Sequence, residues 1–143
     1  MSADLQRFVD AQEPIYAQAR AELGAGEKRS HWMWFIFPQL AGLGHSRMAQ
    51  RFALADRAHA SAYLAHPLLG PRLRECVELV MRHRDRTAVQ IFGSPDYLKL
   101  HSSLTLFHQA APAQPLFMQA LRQFYGGKLD QATLRLLEHP PAA

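Results

Sequence analysis

Residues 32–37, Trp-Met-Trp-Phe-Ile-Phe, are six consecutive large apolar side chains closed by Pro38. No other stretch restricts the fold as much. A membrane-spanning helix needs about 20 apolar residues, so this run is too short to cross a bilayer. It does not alternate with polar residues either, which argues against a half-buried strand. A fully buried strand stays open, because aromatic residues favour strands. The neighbouring segments all read as helical, and the run is therefore expected as a helix over 31–37. Ser30 is its expected N-cap, and Pro38 ends it by disfavouring α geometry at Phe37. A short helix that is apolar on every side belongs at the centre of a domain. Its two indole N–H groups need acceptors there, and one tryptophan lining a cleft would provide for that.

The rest of the chain reads as helix, turn, helix. Leu5, Phe8 and Val9 share one helical face, and Pro14 suits the first turn of a second helix, to Leu23, with Gly24 and Gly26 as stop signals. Ser46 and Asp56 are N-caps for the next two helices, the second turning Tyr63 and Leu64 inward. The longest amphipathic stripe is Leu69, Leu73, Cys76, Val77, Val80 and Met81. Arg74–Glu78 and Glu78–Arg82 form i,i+4 pairs on its other face. Thr87 caps a short helix ending near Phe92. Ser94 is the expected cap of another, with Pro95 at its first position and Asp96 in its first turn. Two more helices cover Pro115 to Tyr125 and Asp130 to about Glu138. The expectation is an all-α, single-domain orthogonal bundle of about eight or nine short helices spanning 1–138, with a flexible tail over 139–143.

At 143 residues the chain suits one domain. A single cysteine, Cys76, excludes an internal disulfide framework and a cysteine-rich zinc site. The opening residues "MSADLQRF" lack the apolar stretch of a signal peptide, so a reducing, cytoplasmic setting is the expectation. The formal charge is +4, with no block of like charges and no stripe of aromatic and basic residues. An anionic partner is permitted, and nucleic acid ranks behind a small ligand. The sequence leaves the oligomeric state open, with a monomer favoured over an oligomer.

Four segments carry a resemblance: "DLQRFVDAQEPIY", "KRSHWMWFIFPQLAGLGHS", "YLAHPLLGPRLREC" and "IFGSPDYLKLHSSLTLF". Their order and spacing resemble the bacterial and fungal family catalogued as domain of unknown function eighteen-ten, from about Asp4 to Leu137. The resemblance implies a mainly helical single domain with no established activity. Some members of that family carry the label calpastatin, a protease inhibitor. Such inhibitors are disordered repeat chains, whereas this sequence is non-repetitive and rich in core residues.

Three constellations could hold a ligand. The helix at 31–37 brings Trp32 and Trp34, with His31 in its first turn, where burial would keep the imidazole neutral. The loop bearing Gly42, Gly44 and Ser46 could converge free N–H groups on a phosphate or carboxylate, with Lys28, Arg29 and Arg47 completing an anion site. Glycines before a capped helix also make an ordinary turn. The third group is Asp96, Lys99, Ser102 and Ser103, one turn apart on a single helix. The order Lys-x-x-Ser is not that of the known Ser-x-x-Lys acylating enzymes, so hydrogen bonding suits these residues better than nucleophilic catalysis. His101 and His108 lie seven residues apart without a carboxylate at matching spacing, a poor zinc signature. Lys99 lacks a carboxylate at 95, 102 or 103 and is expected to turn into a cleft near Lys28, Arg29 or the tryptophans.

These residues together predict one cleft for a small anionic, nucleotide- or phosphate-like ligand, between residues 28–37, 42–47 and 96–103. The alternative is a protein-interaction module without a small-molecule site. No reaction, cofactor or metal is assigned.

Overall fold

Side chains that cap, and glycines that stop, divide the chain into short helices. The computed structural model describes residues 4–140. Among them are ten helices: α1 (Gln6–Gln12), α2 (Tyr16–Ala25), α3 (Met33–Ile36), α4 (Arg47–Arg51), α5 (Arg57–Ala65), α6 (Leu69–Met81), α7 (Ala88–Phe92), α8 (Asp96–Ala110), α9 (Pro115–Tyr125) and α10 (Gln131–Glu138). No strand occurs among the described residues. The nearest thing is one parallel bridge, where the Ala41 N–H donates to the Leu54 carbonyl at 2.8 Å and the Leu54 N–H to the Gln39 carbonyl at 2.9 Å.

The expected caps form at three helices, and Asp130, read as the first residue of the last helix, caps it instead. Ser46 accepts from the Ala49 N–H, Asp56 from His59 and Asp130 from Thr133, while Thr87 and Gln90 make a reciprocal capping box. Gly26 closes α2 in the left-handed region, at φ 78°, and a Cβ there would lie 2.9 Å from His83 Nδ1. Gly24, read as a second stop, lies inside α2 instead.

Helix α8 is the axis of the molecule, packed against α5, α7, α9 and α10. Leu100, Leu104, Leu106 and Phe107 on it are buried. One chain of rings starts there: Phe107 lies 5.4 Å from Tyr63, Tyr63 5.3 Å from Phe8, Phe8 5.6 Å from Phe52, and Phe52 5.2 Å from Phe35. The aromatic run thus fills the centre, as its composition dictates. Met33, Phe35, Ile36 and Phe37 are all buried.

Three local expectations are corrected. The aromatic helix is four residues long rather than seven, because Ser30 does not cap it and Trp32 occupies the cap position. The Ser30 hydroxyl is committed to the Glu22 carboxylate. Helix α8 starts at Asp96 with Pro95, not Ser94, at its cap. On α6, Arg74 turns from its expected helical partner to Gln114 Oε1, at 3.2 Å, and the Leu64 carbonyl. Of the expected tail, 141–143 lie outside the described residues, as do residues 1–3 of the segment read as lacking a signal peptide. His139 caps α10, and Pro140 borders a hollow of about 220 Å³ with Leu136, Leu137 and Asp56.

Candidate functional site

The loop between α2 and α3 is organised by a carboxylate. Glu22, buried near the end of α2, accepts the backbone N–H of Arg29 (2.8 Å), the backbone N–H of Ser30 (3.0 Å) and the Trp32 indole N–H (2.9 Å) on one oxygen. Its other oxygen accepts the Ser30 hydroxyl at 2.7 Å and the Gln18 amide at 3.1 Å. Burial alone would raise this carboxyl. The donors from Arg29, Ser30 and Trp32 outweigh it and hold the group well down, at about 2. Trp32 is therefore completely buried with its indole satisfied, and it is core rather than pocket wall.

Lys28, fixed on that loop, reaches across to α8. Its ammonium lies 2.8 Å from Asp96 Oδ2, donates to the Ser30 carbonyl at 2.6 Å and stands 5.0 Å from the Trp32 ring centroid. Only 7% of its side chain is exposed. The Lys28 backbone N–H donates to the Ile91 carbonyl at 2.7 Å, tying the loop to α7 as well. Every feature of Lys28 is structural: a nearly buried cation matched by one carboxylate, one carbonyl and one aromatic face.

Lys99 is held differently. It lies one turn after Asp96 and shares that carboxylate, but at 3.6 Å from Oδ1, beyond hydrogen-bond length. Its ammonium stands 5.4 Å from the Trp34 ring centroid. The side chain is 27% exposed, and Trp34 is half-buried. Lys99 thus turns toward Lys28 and Trp34 instead of running out into solvent. Two lysines on one carboxylate leave a local surplus of one positive charge, and geometry assigns it to Lys99.

The remaining residues singled out in the sequence are not gathered here. Arg29 is exposed and pairs with Glu27 at 3.1 Å. His31 is exposed, so the condition of burial attached to it in the sequence is not met. Ser102, buried, donates to Asp130 Oδ2 at 3.0 Å and thereby docks the start of α10 on α8. Ser103 is fully buried and its hydroxyl has no partner among the described residues. Both serines face the interior, since α8 is covered on several sides. Gly42, at φ 102°, packs toward Leu136 of α10. Gly44 closely approaches Ala49, where a Cβ would sit 2.6 Å from the alanine methyl. Both border a separate hollow of about 130 Å³ with Gln39, Ala41 and Gln50. Ser46 and Arg47, at the start of α4, are exposed, and the Ser46 hydroxyl is already occupied by its cap bond.

Sequence reasoning missed Glu22. Its only signal is the i,i+4 relation to Gln18 and its place one turn before Gly26. The partners that make it a hub come from 28–32, which the loop brings back onto α2.

The arrangement defines a class: an all-helical domain carrying a small cation-and-aromatic surface where the α2–α3 loop meets the first turns of α8. The chain belongs to the family described as "Protein of unknown function (DUF1810)", whose model matches residues 2–137. It is similar to a conserved hypothetical protein of Mycobacterium tuberculosis, Rv1873, whose crystal structure is 52% identical, with a TM-score of 0.93 over 94% of this chain and 96% of that one. No curated protein matches the chain.

Proposed function

We propose that the protein binds a small anionic ligand where Lys99 stands beside Trp34. The observation that supports this reading is the state of Lys99. Its ammonium is partly shielded, lies against an indole, and is 3.6 Å from the only carboxylate that faces it among the described residues. An anion arriving there gains a charge-assisted hydrogen bond without breaking one, and an attached ring can pack on the half-buried indole. Lys28, Asp96 and Glu22 hold the surface in shape. The Gly42–Arg47 loop is left out, because its glycines pack against α10 and α4 and its cap residue is satisfied.

The test is a thermal-shift screen of nucleotides, cyclic nucleotides, sugar phosphates and mono- and dicarboxylates at millimolar concentration, on wild type and Lys99→Met. A ligand at about 100 times its Kd stabilises by about 2.7 kcal/mol, which is easily read. Stabilisation should be present in wild type and lost in Lys99→Met, whose melting temperature without ligand stays nearly unchanged. Failure of every compound to stabilise wild type would refute the proposal.

No helix among the described residues is long and apolar enough to cross a membrane. The fully buried, unpaired Cys76 supports a cytoplasmic setting as part of the same proposal.

A further inference from the structure

The charges around Trp34 limit what the site can accept, and this inference rests on the ligand reading above. Lys28 is neutralised by Asp96 at 2.8 Å and is almost wholly covered. Arg29, the next cation along the loop, is matched by Glu27. One uncompensated cation is left among these residues, Lys99, and the Asp96 carboxylate lies 3.6 Å from it with 19% of its side chain exposed. An anionic group that meets the Lys99 ammonium also meets the field of Asp96. A first negative charge balances Lys99. A second finds no cation left and a carboxylate within a few ångströms, and like charges that close are mutually unfavourable.

From this we infer that the ligand is an aromatic monoanion: a ring that packs on Trp34 joined to one singly charged group, a carboxylate or a phosphodiester. Phosphate monoesters, which carry about −1.5 to −2 at neutral pH, and polyphosphates are discriminated against by Asp96. The ring requirement comes from Trp34. Its indole is half-buried and carries Lys99 on one side, so a planar group that packs beside the ammonium removes apolar surface from water while leaving the cation in place. Asp96 acts here as a specificity-determining residue, fixed by its bond to Lys28 and therefore unable to swing away from the incoming charge.

Isothermal titration at low salt separates the possibilities. The probes are benzoate, 3′,5′-cyclic AMP, AMP and ATP, with benzyl alcohol as the uncharged ring. Cyclic AMP and AMP share a base and sugar and differ chiefly in charge. The expected order places cyclic AMP, benzoate or both ahead of AMP and ATP by about fivefold or more, with benzyl alcohol weakest by about tenfold. Binding of benzoate without cyclic AMP assigns the carboxylate form, and the reverse assigns the phosphodiester. Asp96→Asn should narrow the gap between AMP and cyclic AMP. Since that variant disturbs Lys28, its fold is checked by circular dichroism, and the wild-type ranking stands without it. If AMP or ATP binds wild type more tightly than both monoanions, the inference is overturned and the ligand reading survives. The same holds if the thermal screen yields a ligand that needs Lys99 and neither monoanion binds. If none of the probes binds and the thermal screen is also blank, the reading itself fails.

Discussion

Replacing Glu22 by glutamine keeps the shape of the side chain and removes its charge, so it measures what the carboxylate contributes. Five donors converge on Glu22, from Gln18, the Arg29 and Ser30 backbone, the Ser30 hydroxyl and the Trp32 indole. A glutamine can still accept on its oxygen, but its amide must face the Ser30 hydroxyl and the Gln18 amide. One donor is then opposed by another donor. The carboxyl is held at about 2 against an ordinary 4.5, and at about 1.4 kcal/mol per pKa unit this corresponds to about 3 kcal/mol. Because the folded value lies below the unfolded one, this stability is fully present above about pH 4.5 and is lost as pH falls toward about 2. Glu22→Gln should therefore cost about 2–3 kcal/mol at pH 7, a melting temperature lower by roughly 4–12 °C for a chain of this size. Urea denaturation followed by circular dichroism at pH 7, 4 and 2.5 gives the comparison. The gap between wild type and variant should shrink steadily on acidification. A gap that stays constant from pH 7 to 2.5, or one below about 0.5 kcal/mol throughout, would refute the view that Glu22 works as a charge.

Lys28→Met removes the partner of a carboxylate that is only 19% exposed and strips the Trp32 face of its cation; equilibrium unfolding should show a loss of about 2–3 kcal/mol, against less than about 1 kcal/mol for Lys99→Met. Gly70→Ala places a Cβ 2.1 Å from the Leu64 carbonyl oxygen, backbone that cannot give way cheaply; chemical denaturation should register a loss of more than about 2 kcal/mol, or the α5–α6 junction must shift.

Which parts of this structure are legible in the sequence follows from how local the causes are. Caps and stops act within four residues, so Ser46, Asp56, Thr87 and Gly26 could be read directly, and Asp130 as the start of α10. The aromatic run announced a central position through composition alone. The length of that helix was not legible, because Ser30 is drawn to Glu22, eight residues away and on another helix. A second bond to the same carboxylate decided which tryptophan is core. Both indoles have the same local pattern, and only the presence of an acceptor over Trp32 separates them.

Local pattern and tertiary contact meet most closely at α8. The spacing 96, 99, 102, 103 picked out a polar group that is not an ordinary solvated face. It could not divide the group, because the division is made by elements elsewhere in the chain. Asp130 of the α9–α10 connection claims Ser102, the interior claims Ser103, and Lys28 of the α2–α3 loop claims one oxygen of Asp96. What those three claims leave over is Lys99. A lysine that neighbouring elements bypass, beside an indole only half covered, is kept out of the packing by the same contacts that organise everything around it. Stability gives little reason for that combination, since a partly exposed cation at 3.6 Å from its carboxylate contributes at most about 1 kcal/mol. The fold holds Lys99 in place without needing it, and under the function proposed above a ligand is the partner it lacks.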